Sequence, residues 1–311
     1  MLQNKALAVV SEVRRAIVGK DTVIYKALMA ILARGHILLE DNPGVGKTTL
    51  ALAFSKTMGL SYNRIQFTPE VMPADVVGFS VWDKHTGEFT YRPGAVLCNL
   101  FLADEINRTS AKTQSALLEA MEEGQVTVDS VSRPLPQPFT VIATQNPVGS
   151  AGTQLLPESQ LDRFMMRLSI GYPTLEQEVE ILKQTEGTRP VDSLRQITTL
   201  EEILEMQQEV GAVHVSDELY RYVAALSAAT REHPLLRLGA SPRAGGALVR
   251  ASRASAWLAG RDYVIPADVR LLYYNVLEHR VVPDPQARLS GKDAHALLTE
   301  TLESVPQPRV V

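Results

Sequence analysis

Gly44-Val-Gly-Lys-Thr48 constrains this chain more than any other stretch. It follows a short apolar run, His36–Glu40 (HILLE), and it opens a helical pattern that reaches Met58 and stops at Gly59. A glycine-rich turn between a strand and a helix is the setting of a phosphate-binding loop. Glycines let backbone N–H groups approach phosphate oxygens, and the helix N-terminus adds donors and a favourable dipole. Pro43, Gly44, Val45, Gly46, Lys47, Thr48 and Thr49 are therefore the candidate nucleotide-binding residues. Lys47 suits the β- and γ-phosphates and Thr48 suits Mg²⁺, so ATP or ADP with Mg²⁺ is the implied ligand. The full eight-residue pattern begins with a further glycine, and Asp41 stands there instead. Aspartate tolerates left-handed backbone angles, so the loop can still form. Pointing inward, its charge would weaken phosphate binding.

A second motif lies 57 residues beyond Lys47 (104 − 47). Asn99–Ala103 (NLFLA) reads as a buried parallel strand and ends in Asp104-Glu105, the Walker B form. Strand C-terminal ends are where open α/β sheets bind ligands. Asp104 would hold Mg²⁺, mostly through water, and Glu105 would orient and deprotonate the attacking water. Strand-end acids are common by themselves; the pairing with the glycine loop makes this one specific. Phe139–Thr144 is another strand and leads to Asn146-Pro147. There Asn146 could face a terminal phosphate or simply initiate a turn.

The first ~170 residues alternate strand-like and helix-like segments. Helices are predicted over 5–17 and 22–34, the second stopped by Gly35, and strands over 64–67 and 165–170. With the runs above, this predicts an α/β fold: a five-stranded parallel sheet between helices. Two insertions, near 68–97 and 124–138, read as hairpins. Capping boxes at Thr174-Leu-Glu-Gln177 and Thr199-Leu-Glu-Glu202, the Ser241-Pro242 start, Gly260 and Pro266 punctuate a run with no strong strand signal. The expected division is a nucleotide-binding core at 1–173 and a smaller all-helical lid at 174–311, ending in a tail, SVPQPRVV.

A net charge of −4 gives no global basic footprint for nucleic acid. One cysteine, Cys98, excludes an intrachain disulfide and is expected in the core. The N-terminus MLQNKALAVVSEVRR carries an acidic residue and lacks a signal-peptide core, and no stretch reaches the ~18 apolar residues of a membrane span. A cytoplasmic chain is expected. The six histidines show no metal spacing, Trp82 and Trp257 are expected in packing, and Glu119–Glu123 reads as a solvated helix end.

The sequence resembles the MoxR family of AAA+ ATPases, in the clade with a helix-2 insert and a hairpin before sensor 1. The matching text is IVGK (17–20), LLEDNPGVGKTTLA (38–51), QFTPEVMPADVVG (66–78), FLADEINR (101–108), KTQSALLEAMEEGQVTV (112–128), VIATQNP (141–147), LPESQLDRF (156–164) and GASPRA (239–244). The resemblance implies Asn146 as sensor 1, Arg163 as an arginine finger for a neighbouring subunit, and Arg243 as sensor 2 on the lid. Arg167 and Arg108 compete for Arg163's role. Ile17, Val18 and Gly19 would lie against adenine. It further implies a homo-oligomeric ring, a hexamer by family expectation, acting as a chaperone that remodels or matures a client complex, with a separate von Willebrand factor A domain protein as partner. Alternatives are a magnesium-chelatase-like subunit, a nucleic-acid motor, for which the hairpin offers only Arg133, and a non-hydrolysing nucleotide switch.

Overall fold

The computed structural model describes residues 1–146, 156–184 and 189–308; Pro147 and the end of the C-terminal tail lie outside them. Two helices, α1 (Leu2–Val13) and α2 (Asp21–Leu32), precede strand β1 (Ile37–Glu40) and helix α3 (Lys47–Met58). Arg34 takes the left-handed conformation beyond α2, at φ 55°, which Gly35 was expected to supply. Gly35 is small for another reason: a Cβ there would lie 2.4 Å from the Met165 sulfur.

Strand β2 (Tyr62–Gln66) is followed by the first insertion, helix α4 (Pro73–Val77) and the antiparallel hairpin β3 (Gly78–Asp83) and β4 (Glu88–Pro93). Strand β5 (Leu100–Asp104) leads to helix α5 (Ala111–Glu123), capped by Ser110 and closed by Gly124. The second insertion is the hairpin β6 (Gln125–Val128) and β7 (Val131–Pro134). Strand β8 (Thr140–Gln145), the short helix α6 (Glu158–Leu161) and strand β9 (Met166–Leu168) complete this part. The five expected strands form one parallel sheet in the order β2-β5-β8-β1-β9.

Alternation along the strands builds two apolar layers. Leu100, Leu102 and Ile142 face one layer, while Phe101, Ala103, Val141 and Ala143 face the other. Both faces are covered, which is why these strands read as unbroken apolar runs. The second layer packs under α5 and both insertions. The first runs without a break through α1, α2 and α3 into the helices after 174.

Those helices are α7 (Leu175–Gln184), α8 (Leu200–Ala212), α9 (Asp217–Glu232), α10 (Pro242–Leu258), α11 (Pro266–Leu277), α12 (Pro285–Leu289) and α13 (Ala294–Ser304). The capping boxes at Thr174 and Thr199 form as the sequence suggests. One addition interrupts the helices: β10 (Leu236–Leu238) pairs antiparallel with β11 (Val282–Pro283), strands too short to leave a periodic signal. Trp257 is buried and donates to Glu209, whereas Trp82 is exposed and meets Phe89 edge-on, so only Trp257 is a packing residue. Cys98 is buried, and burial pushes its thiol up to about 12. Among the described residues no helix is long and apolar enough to cross a membrane.

His36, at the start of β1, accepts from the Val141 N–H on Nδ1 and lies 3.1 Å from the Met121 carbonyl through Nε2. Burial, reinforced by Arg250 and Arg243, pushes its pKa down to about 4. A folded-state pKa below the free value near 6.5 means that the unfolded chain binds the proton first. Stability is therefore full above that value and is lost as pH falls toward 4. Urea unfolding should show His36 removing about 2 kcal/mol between pH 7 and pH 5. A His36→Gln variant with the same pH slope as wild type would refute this.

Candidate functional site

Strand β1 ends at Glu40, and the chain turns through Gly44 (φ 85°) and Gly46 (φ 97°) into α3. Only glycine adopts such angles without strain. At Gly44 no atom lies within 4 Å of where a Cβ would be, so the loop presents an open backbone cradle. Beneath it is a cavity of about 310 Å³ lined by Pro43, Gly44, Gly46, Lys47, Thr48, Thr49, Asp104, Glu105 and Asn146. Lys47 is its cation, with Nζ 2.6 Å from the Asp41 carbonyl and 3.3 Å from Asn146 Oδ1. Burial lowers the lysine pKa, opposed by the charges of Asp41, Asp104, Glu105 and Glu40. The Thr48 hydroxyl and the Asp104 carboxylate are hard oxygen donors, the set that suits Mg²⁺.

A second cavity of about 400 Å³ shares Gly44, Gly46 and Thr49 with the first. It adds Ile17, Val18, Val45, Gly171 and Pro173, an apolar wall fit for a base, with Lys20 and Arg189 also in the lining. Gly19 is not among the lining residues; its carbonyl accepts from Gln177 Nε2 at 3.4 Å.

Two neighbours with no role assigned from sequence, Thr144 and Arg64, help to hold the strand-end acids. Thr144 donates to Asp104 Oδ1 at 2.6 Å and accepts from the Glu105 N–H at 2.9 Å. Arg64, on the adjacent β2, donates to Asp104 Oδ2 from Nη2 at 2.7 Å. Glu105 adopts a left-handed backbone, φ 57°, which is uncommon for a residue with a side chain and typical of working sites. Its Oε1 accepts from Asn146 at 3.0 Å and its Oε2 from Arg108 at 2.7 Å. Burial alone would raise the Glu105 pKa, but these two donors outweigh it and hold the carboxyl below its ordinary value.

Asp41 does not point into the loop. Its carboxylate is buried and accepts from Ser169 Oγ at 2.7 Å, the Ile170 N–H at 2.7 Å and the Gly171 N–H at 3.0 Å. It therefore ties the phosphate loop to the segment after β9.

The structure places Arg163 and Arg243 elsewhere. Both bind Glu122, at 3.2 and 2.9 Å, in a third cavity that also contains Gly35, His36, Met165, Arg250 and Arg280. Gly35, His36 and Met165 precede β1 and β9, whereas the phosphate loop follows β1. Four residues of parallel strand, about 13 Å, separate the two sites, and they share no lining residue. Glu122 is exposed in the last turn of α5, as expected of that acidic run, and is in addition an ion-pair partner. Arg280 is buried, pairs with Asp162 at 2.7 Å, and donates to the carbonyls of Asp162, Phe164 and Met165. It clamps the backbone on either side of Arg163. The competing arginines are occupied within the chain: Arg108 by Glu105, and Arg167 by Glu40 at 2.9 Å and Glu278 at 3.0 Å.

Residues 36–166 match the ATPase family associated with various cellular activities (AAA), and residues 228–301 match the AAA lid domain. The chain is 46% identical to the Bacillus subtilis protein YeaC over 96% of its length and 93% of that protein's. It is 39% identical to the chaperone MoxR1 of Mycobacterium tuberculosis, covering 96% of this chain and 81% of the relative. Identity to the protein MoxR of Methylorubrum extorquens is 31%, covering 96% and 93%. The crystal structure of a candidate ATPase from Cytophaga hutchinsonii superposes with a TM-score of 0.91 at 38% identity, covering 99% of this chain and 96% of that one. The glycine loop, the strand-end acids, the sheet order and these relatives agree: the chain belongs to the MoxR family of AAA+ ATPases.

Proposed function

We propose that this protein hydrolyses ATP with Mg²⁺ in a head-to-tail ring, and that turnover remodels or matures a client protein complex. One observation carries the reading: the phosphate cradle and the arginines Arg163 and Arg243 lie at opposite strand ends, so neither completes a site within one subunit. A second copy docked head to tail brings the two halves together, and a repeated heterologous contact closes into a ring, a hexamer in our reading.

In each composite site the loop amides and Lys47 hold the phosphates, and Thr48 and Asp104 hold the metal. Bound Mg²⁺ would supply charge neutralisation on the phosphate oxygens. Glu105, once released from Arg108, orients a water and accepts its proton, with Asn146 fixing the carboxylate. Arg163 and Arg243, exchanging Glu122 for phosphate, stabilise the charge that builds on the transferred group. We place the working division between core and lid near residue 173, the ring in the cytoplasm, and a von Willebrand factor A domain protein as its partner. Relatives named MoxR1 chaperone and MoxR support the client role. A nucleic-acid motor is disfavoured, since Arg133 is spent within the chain, stacking on Tyr91 of β4 at 3.9 Å and donating to the Val128 and Val131 carbonyls of its own hairpin.

The test is steady-state ATP hydrolysis across protein concentration. Turnover per subunit should rise with concentration, and Glu105→Gln should keep ATP binding while losing turnover by about 10²–10³-fold. Turnover independent of concentration and retained in the variant would refute the reading. Tight ATP binding without turnover would favour a nucleotide switch.

A further inference from the structure

Five arginines line the cavity before β1 and β9, and three have carboxylate partners: Arg163 and Arg243 share Glu122, and Arg280 holds Asp162. Arg250 is different. Among the described residues its side chain has no hydrogen bond and no ion pair, although it is exposed to solvent at the cavity mouth. Helix geometry explains its position. Arg243, Ala247 and Arg250 follow one another at i, i+4 and i+7, so they share one face of α10, and all three line this cavity. The small Ala247 between them leaves both guanidinium groups room over the same space.

Arg250 also lines an adjoining cavity of about 250 Å³ together with Arg34 and Arg253, and no carboxylate lines that one. Arg34 likewise makes no side-chain hydrogen bond or ion pair among the described residues. The cationic ground therefore extends from the Glu122-bound arginines toward charges with no internal counter-ion. Partial burial of the Arg250 head group, and then the Arg243 charge, lower its pKa. An anion at this spot would relieve both effects.

We propose that Arg250 is a third arginine delivered in trans, contacting the terminal phosphate oxygens of the nucleoside triphosphate bound by the neighbouring copy. The proposal rests on the head-to-tail reading above. A solvated helix face would equally expose an arginine. It would not align that arginine with Arg243 over one cavity while the cavity's other cations, Arg34 apart, are matched. Arg163 and Arg243 must give up Glu122 to reach a phosphate, whereas Arg250 is free from the start and meets the incoming anion first.

The experiment uses full-length Arg250→Ala and Arg250→Lys, assayed for ATP turnover with Mg²⁺ at saturating nucleotide, alone and mixed with Glu105→Gln. Expected are a loss of at least tenfold in Arg250→Ala with ATP affinity kept, a smaller loss in Arg250→Lys, and recovery in mixtures. Recovery follows because sites that retain Glu105 then face an intact Arg250 from the neighbour. Arg163→Ala is mixed with Glu105→Gln in parallel. Turnover of Arg250→Ala within twofold of wild type overturns the proposal. So does a loss that mixing fails to restore while the Arg163→Ala loss is restored, which would put Arg250's effect inside its own subunit. Failure of Arg250→Ala subunits to enter mixed rings, read by sedimentation with ATP, overturns it as well. If neither variant is restored, the trans reading itself falls, and this inference with it.

Discussion

Arg163→Ala should lower ATP turnover by about 10³–10⁵-fold, the range of an arginine that stabilises charge in phosphoryl transfer, while ATP affinity stays close to wild type. The separation follows from the structure, because Arg163 lies before β9 and the cavity proposed for phosphate lies after β1. Its present partner does not compete strongly. The Arg163–Glu122 pair is solvent-reachable, with side-chain exposures of 29% and 37%, and such pairs contribute at most about 1 kcal/mol. A multiply charged phosphate can displace Glu122. The Arg280 clamp on the Asp162, Phe164 and Met165 carbonyls keeps the Arg163 backbone in place while the side chain changes partner. Mixing Arg163→Ala with Glu105→Gln should restore part of the turnover, since sites pairing an intact base with an intact finger reappear. Turnover still absent in mixtures that sediment as rings would mean that Arg163 acts within its own subunit or serves only to fold it.

What was legible in the chain is what rests on local pattern. Buried parallel strands announce themselves as apolar runs, and Leu100–Asp104 and Thr140–Gln145 fall within a residue of expectation. Helix ends set by Gly59 and Thr199 are chemical signals read directly from residue type. The phosphate loop joins both kinds of signal, so its residues were named without the fold. What was not legible depends on pairs far apart in sequence. Thr144 orders both Asp104 and Glu105 across neighbouring strands, yet in the sequence it is one threonine among many. Glu122 looked like one acid of a solvated run until α5 and α10 brought Arg163 and Arg243 to it. Arg34 takes the left-handed position at the end of α2, and the need for glycine at 35 comes instead from Met165, which packs where a side chain there would sit and lies 130 residues away in sequence (165 − 35).

Asp41→Gly restores the first glycine of the phosphate-loop pattern, and it should nevertheless damage the protein, costing about 1–3 kcal/mol of stability, as when a buried donor loses its acceptor. Asp41 is only 6% exposed. It satisfies three donors at once, the Ser169 hydroxyl and the N–H groups of Ile170 and Gly171. Consecutive amides converging on one anion, with Gly171 at φ 67°, form a nest. Removing the anion leaves the buried Ile170 N–H without a partner, while the exposed Ser169 hydroxyl and the half-buried Gly171 N–H must turn to water. ATP affinity should fall as well, because the same segment delivers Gly171 and Pro173 to the wall of the base cavity. Asp41→Asn separates size from charge. It keeps the volume but offers one acceptor oxygen to three donors, so its stability loss should fall between wild type and Asp41→Gly. Urea unfolding and equilibrium ATP binding on the three proteins decide the matter. A glycine variant as stable as wild type that binds ATP more tightly would show that Asp41 is a tolerated defect of the loop. The opposite ranking would show that the chain gave up a loop glycine to anchor the segment leading to its lid.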